Sequence, residues 1–261
     1  MSSGQGETKA RDTESREEKN RFLESTKEDI KLYQYWYSGA TINAILAECE
    51  QYATKVAFLS TPSVYFSLCE GVDMENGVDA RSILARASCV LDYDRAFQTA
   101  KGYVFFNYKD PGGIPKDLHH TFDFVVIDPP SVRDDVLAQY AKAARLLLCD
   151  GGGLGYRSDC ASNTWLPCCL AGRTPKVSNG SPTRKGRILV TSLAGDDHAK
   201  LMYKLFRVKP CVFLPTIPNL IYQYHLYVNY ESPRLAQINP DQPLPDPKKT
   251  SARSRLKDFG T

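Results

Sequence analysis

The sequence predicts a doubly wound α/β sheet, mostly parallel, that ends in an antiparallel hairpin. Three observations carry this. Short apolar runs of strand length alternate with longer segments whose apolar residues recur at three- and four-residue steps, the pattern of βαβ units. The runs Val56-Ala-Phe-Leu59 and Phe124-Val-Val-Ile127 are apolar at every position, as strands covered on both faces must be. The last two runs, residues 211–214 and 222–230, are joined by a short Pro-containing loop that leaves no room for a crossover, so they should pair antiparallel.

The elements follow in order. Residues 1–21 are rich in Glu, Lys, Arg and Ser without a core pattern, which predicts a disordered tail. The expected folded domain spans residues 22–231. Ile42, Ile45, Leu46 and Cys49 mark a helix over 41–52. A strand at 56–60 ends at Thr61-Pro62-Ser63, a short helix is expected over 64–70 and another over 80–87. Strands are expected at 88–91, 103–106 and 124–127. Asp134 and Asp135 sit where a helix start favours negative charge, and Val136, Leu137, Tyr140, Ala144, Leu147 and Leu148 form the apolar face behind them. A fifth strand at 187–191 and a helix over 196–206 precede the hairpin.

Residues 152–185 interrupt this plan. They hold Gly-rich and Ser-rich stretches without a period, and removing them leaves an ordinary helix-to-strand connection, so they read as a surface insertion or a gene-model artefact such as a translated intron. Cys160, Cys168 and Cys169 there lack structural zinc spacing, and no metal is expected. Residues 232–261, Pro-rich and then basic, read as a second disordered tail.

Bulk composition narrows the function. With 261 residues, 42% hydrophobic and 24% charged, the chain suits one core-bearing domain with tails. No apolar stretch approaches the ~20 residues that cross a bilayer, so no membrane is expected. Residues 1–20 lack the apolar segment of a secretory signal. Eight scattered cysteines without C-x-x-C spacing read as free thiols in a reducing compartment, and cytoplasm is the expected location. Net charge is +3, yet residues 30–150 and 188–231 together hold fifteen basic and eighteen acidic residues. A duplex-binding surface concentrates positive charge on the folded part, which speaks against nucleic acid.

The chemistry lies at strand ends. The run 124–127 stops on Asp128, then Pro129 and Pro130; the first proline holds Asp128 extended, and both rings fix their own φ. A stiffened carboxylate beside fixed carbonyls suits gripping the N–H groups of an amine while leaving its lone pair free. The plainer reading is a strand that stops at a Pro-rich turn with a solvated Asp. Asp92 ends the second strand, where a carboxylate can take both ribose hydroxyls. Asn107 ends the third and can read an adenine edge. Ser60, Thr61 and Ser63 end the first, whose lack of G-x-G-x-x-G disfavours a pyrophosphate. Polar residues are commonplace turn formers, so it is their recurrence at successive strand ends that informs. Upstream, Gln34, Trp36 and Tyr37 belong to an aromatic cluster that is packing in part and also suits a sulfonium, because aromatic faces attract cations.

In this order, Gln34-Tyr-Trp-Tyr-Ser38, Ser60-Thr-Pro-Ser-Val-Tyr65, Leu91-Asp-Tyr-Asp-Arg-Ala-Phe97, Asp128-Pro-Pro130 and Tyr227-Val-Asn-Tyr-Glu231, the chain resembles the elongation factor 1-alpha lysine methyltransferase 1 family. These are class I seven-strand methyltransferases, formerly labelled N6-adenine-specific DNA methyltransferase 2. The resemblance implies a Rossmann-like sheet, S-adenosylmethionine as cofactor and a lysine of translation elongation factor 1-alpha as acceptor. It also implies cofactor contacts from Gln34, Trp36, Tyr37, Ser60, Thr61, Ser63, Asp92, Asn107 and Asp128, and a catalytic stretch of Asp128, Pro129, Pro130 and Ser131.

There are two departures. The family motif closes with an aromatic residue that walls the acceptor amine, and Ser131 stands there instead; Tyr222 or Tyr224 is expected to fill the gap. The loop Pro215-Thr-Ile-Pro-Asn-Leu220 is shorter and less basic than the family pattern. The competing readings are an adenine N6 methyltransferase, which wants an aromatic at 131 and a basic groove, and a cofactor-binding or scaffold protein with impaired catalysis, which Ser131 and the insertion favour.

Overall fold

A computed structural model describes residues 20–149 and 186–242. The insertion expected at 152–185 and most of both tails lie outside the described residues. Seven strands, β1 (Val56–Leu59), β2 (Cys89–Asp92), β3 (Tyr103–Phe105), β4 (Phe124–Ile127), β5 (Arg187–Leu193), β6 (Lys209–Pro210) and β7 (Tyr224–Val228), form one sheet in the order β3-β2-β1-β4-β5-β7-β6. The first five are parallel; β7 runs antiparallel to both β5 and β6. This is the expected doubly wound sheet with its antiparallel end.

Strands β1, β2 and β4 are buried at every residue, because helices cover both faces. Side chains alternate between two cores. Ala57, Leu59, Val125 and Ile127 pack with α5 (Asp134–Leu147) and α6 (Asp196–Phe206), while Val56, Phe58, Phe124 and Val126 pack with α2 (Gly39–Tyr52), α3 (Pro62–Cys69) and α4 (Ala80–Ala87). At the foot of β4, the fully buried Asp123 accepts the backbone N–H groups of Thr54 and Lys55 at 3.1 and 3.0 Å and the Thr54 hydroxyl at 2.7 Å. That tie sets β4 level with β1, so their carboxyl ends emerge side by side.

Helix starts follow local chemistry. The Ser38 side chain caps α2 by accepting from Thr41 N–H at 3.3 Å, and Asp79 caps α4 from Ser82 N–H at 2.9 Å. Pro62 opens α3, where a missing N–H costs nothing. A short α1 (Arg21–Ser25), not expected from the sequence, is capped by Asn20 and buries Phe22 against Trp36 and Phe66, with ring centroids 5.2 and 5.5 Å apart.

Two expectations need correction. The first hairpin strand lies at Lys209–Pro210 rather than at 211–214. Cys211 N–H still donates to Leu226 O at 2.8 Å, but Phe213 N–H turns away to Leu235 O at 2.9 Å, so a later segment captures the chain. That segment belongs to the expected tail. Leu235 and Asn239 are each only 1% exposed, so packing continues past Glu231 as far as Gln242.

Candidate active site

The strand order reverses between β1 and β4, and a crevice opens there beyond their carboxyl ends. It is a cavity of about 630 Å³, the size of small-molecule sites. Every site residue expected from the sequence lines it except Tyr37. Ser60, Thr61 and Ser63 come from the end of β1, Asp92 from β2, Asn107 from beyond β3, and Asp128, Pro129, Pro130 and Ser131 from β4. Gln34 and Trp36 come from the segment before α2, and Ile217, Leu220, Tyr222 and Tyr224 from the approach to β7.

The floor is electrostatically unusual. Burial pushes the Asp128 carboxyl up to about 7, and the Tyr37 hydroxyl acts against that rise. Tyr37 itself is 1% exposed and stands behind the wall, its hydroxyl 2.5 Å from Thr191 Oγ1 on β5. It therefore props the carboxylate rather than facing the cavity. Asp92, only 7% exposed, is pushed up to about 6, first by burial; its Oδ1 accepts Asp94 N–H at 2.8 Å, which pulls the other way. Two carboxyl groups that titrate near neutrality in one cavity form a functional-site signature.

The β1 turn is strained and unfinished. Ser60 adopts φ 56, a left-handed conformation that costs a non-glycine residue roughly 1–2 kcal/mol. It is held there by N–H donation to Leu91 O at 2.8 Å and a 2.7 Å hydroxyl contact with Tyr140. Next to it, Thr61 is 1% exposed and its Oγ1 has no hydrogen-bond partner. Thr61 gives α3 no side-chain cap, so the helix meets the cavity with free N–H groups and a positive dipole end. An orphaned hydroxyl beside an uncapped helix start fits the carboxylate of an amino-acid-bearing cofactor.

Other residues are more committed than the sequence indicated. Gln34 Nε2 donates to Asp94 Oδ2 at 2.8 Å, which pins the wall to the β2 turn, and its Oε1 accepts Asp29 N–H at 3.2 Å within its own segment, so both ends of the amide are engaged. Trp36 Nε1 donates to Thr26 O at 3.1 Å, and its ring meets Phe22 edge-on. Asn107 Oδ1 closes a turn with Lys109 N–H at 3.1 Å, which leaves Nδ2 as the group able to meet a ligand.

Tyr35 of the aromatic cluster also lines the cavity, as do Tyr108 and Tyr140, which sequence reasoning did not place at the site. Tyr140 was legible only as core, since it sits on the apolar face of α5. Tyr222 and Tyr224 both line the cavity; burial and then the Asp128 carboxylate raise the Tyr224 phenol above its ordinary value. Among the described residues no group of three or more His, Cys, Asp or Glu is placed to hold a metal ion, and no helix is long and apolar enough to cross a membrane.

Comparison with known proteins assigns the chain a family. The family described as "Probable N6-adenine methyltransferase" matches residues 28–232. The chain is 29% identical over 207 residues to EEF1A lysine methyltransferase 1 of Danio rerio, covering 76% of this chain and 96% of that protein. It is 34% identical over 138 residues to the Gallus gallus protein of the same name, covering 49% of this chain and 60% of that one. The yeast protein-lysine N-methyltransferase EFM5 is 28% identical over 129 residues, 47% of this chain and 49% of its own length. Because the family match over residues 28–232 takes in the whole sheet and each cavity-forming strand end, the chain belongs to the N6-adenine methyltransferase family, whose relatives named here are protein-lysine methyltransferases.

Proposed function

We propose that the protein is an S-adenosylmethionine-dependent protein-lysine N-methyltransferase whose acceptor is translation elongation factor 1-alpha, met in the cytoplasm. The observation that carries this reading is Asp128, which lines the cavity ahead of two prolines with its carboxyl pushed up to about 7 by burial, with the relatives' printed names supplying the acceptor. S-adenosylmethionine supplies, when bound, an electrophilic methyl group on a sulfonium. Asp92 is suited to two ribose hydroxyls, Asn107 Nδ2 to a base nitrogen, and the Thr61 hydroxyl with the first turn of α3 to a carboxylate.

The acceptor side belongs to Asp128. A lysine ammonium ordinarily titrates near pH 10.4 and must lose a proton before its lone pair is available; partial burial beside the tyrosines lowers that value. Asp128 and the Pro129 carbonyl accept N–H bonds from the amine and aim its lone pair into the cavity, which is orientation rather than bond chemistry. The phenyl faces of Tyr222 and Tyr224 supply the cation-attracting wall that the short Ser131 does not. The family description names adenine as an alternative acceptor; Ser131 and the acidic balance of the folded part speak against it.

The test is radiolabelled methyl transfer to purified elongation factor 1-alpha and, separately, to adenine-containing duplex, by wild type and Asp128→Ala. Label on the factor from wild type alone is the expected result. Label on the duplex points to the adenine reading. Equal background from both proteins, with cofactor still bound, points to a scaffold.

A further inference from the structure

Past Glu231 the chain returns as a strap, residues 232–242, across α2 and the loop that leads to β7. Its root is a buried carboxylate: Ser232 Oγ donates to Glu48 Oε1 at 2.8 Å, and Arg234 stands 3.6 Å from the same oxygen. Its far end is a polar knot. Asn239, 1% exposed, donates from Nδ2 to Leu214 O at 2.7 Å and to Thr216 Oγ1 at 3.3 Å, while its Oδ1 accepts Asp241 N–H at 3.0 Å. Asp241 Oδ2 accepts from Ser38 Oγ at 2.6 Å. Ser38 N–H in turn donates to Thr216 O at 2.9 Å, and Thr216 N–H to Thr41 Oγ1 at 3.0 Å.

The location of this knot gives it a role. Ser38 directly follows the segment that brings Gln34 and Trp36 to the cavity, and Thr216 directly precedes Ile217 in the opposite wall. The two walls are tied again by Glu28, which accepts from Trp36 N–H at 2.8 Å and from Asn219 Nδ2 at 2.7 Å. Both walls are irregular chain, with no ladder to hold their spacing. A buried amide is costly unless its bonds are made; here its N–H groups fall on the Leu214 carbonyl and the Thr216 hydroxyl of the loop, where an apolar residue could pack but could not fix a register.

We propose that Asn239 and Asp241 are positioning residues, which latch the 214–222 loop to the 34–38 segment and so set the width of the cavity over Asp128. Asn239 and Asp241 themselves lie beyond the residues that the family match covers. The proposal rests on the methyltransferase reading for its kinetic readout alone.

The experiment compares full-length Asn239→Ala, Asp241→Ala, Asp241→Asn and Leu235→Ala by hydrogen exchange, S-adenosylhomocysteine calorimetry and steady-state kinetics. Asn239→Ala and Asp241→Ala are expected to speed exchange in 34–38 and 214–222 roughly tenfold, with β1 and β4 unchanged. They should also raise KM several-fold, leaving kcat within about twofold. Asp241→Asn keeps an acceptor for the Ser38 hydroxyl and behaves as wild type. Leu235→Ala, which removes packing but no knot bond, lowers Tm without moving KM. Wild-type exchange in both segments of Asp241→Ala, an exposed position that tolerates substitution, overturns the proposal, as does a KM that tracks Tm across all four variants. A wild-type protein that binds no S-adenosylhomocysteine defeats the methyltransferase reading, and the exchange result still decides the latch.

Discussion

Replacing Asp128 with Asn should make the ligand-free protein more stable at alkaline pH while destroying its proposed activity. The unfolded chain titrates this carboxyl near 3.9, whereas the fold raises it to about 7. Between those values the folded state keeps a proton that the unfolded state has released. Stability therefore falls as pH rises through that window, and the whole cost is present above it. At about 1.36 kcal/mol per pH unit the cost is about 4 kcal/mol; water at the cavity mouth reduces it, leaving about 2–4 kcal/mol for Asn to recover. For a domain of this size that is a Tm gain of roughly 4–16 °C. The assay is thermal unfolding of wild type and Asp128→Asn at pH 8.5 and pH 4. The gain should be present at the first and absent at the second, and methyl transfer should drop about 100-fold or more. An equal gain at both pH values, or a loss at pH 8.5, would refute the claim that a desolvated charge is kept here at the expense of stability.

Three further outcomes follow from the same geometry. Asp92, pushed up to about 6 by burial, binds ribose hydroxyls as a carboxylate, so affinity for S-adenosylhomocysteine should fall about tenfold for each pH unit below that value, and calorimetry of Asp92→Asn should remove the dependence. Thr61→Val replaces a buried, unpartnered hydroxyl with an apolar isostere; the ligand-free protein should gain up to about 1–3 kcal/mol in denaturant unfolding while its cofactor affinity weakens. Tyr224→Ala should raise the acceptor's KM roughly tenfold through loss of the cation-attracting face, and Tyr224→Phe should restore it; equal kinetics for both variants would remove Tyr224 from the acceptor wall.

The parallel sheet was legible because its central strands β1, β2 and β4 are covered on both faces, which leaves nearly pure apolar runs that stop abruptly at polar ends. Those stops also delivered most of the cavity, since open sheets of this kind gather their strand ends at one crevice. What the sequence hid has physical causes. Trp36 and Tyr37 are neighbours of similar chemistry, and only the packing decides that one lines the cavity and the other backs Asp128 from behind. Tyr140 reads as core because its ring is core; its hydroxyl, reaching Ser60, is the part that matters to the site. The strap escaped notice because it buries one Leu and one Asn between prolines, without any period, and such composition reads as solvated tail. The first hairpin strand was misplaced because a backbone bond from Phe213 to Leu235, far along the chain, ends the ladder early.

The most direct test of the central claim is tandem mass spectrometry of elongation factor 1-alpha after incubation with S-adenosylmethionine and either wild type or Asp128→Asn. Methylation of a defined lysine by wild type, absent with the variant, is the predicted result. An unmodified factor in the presence of wild-type protein that binds the cofactor would contradict the account.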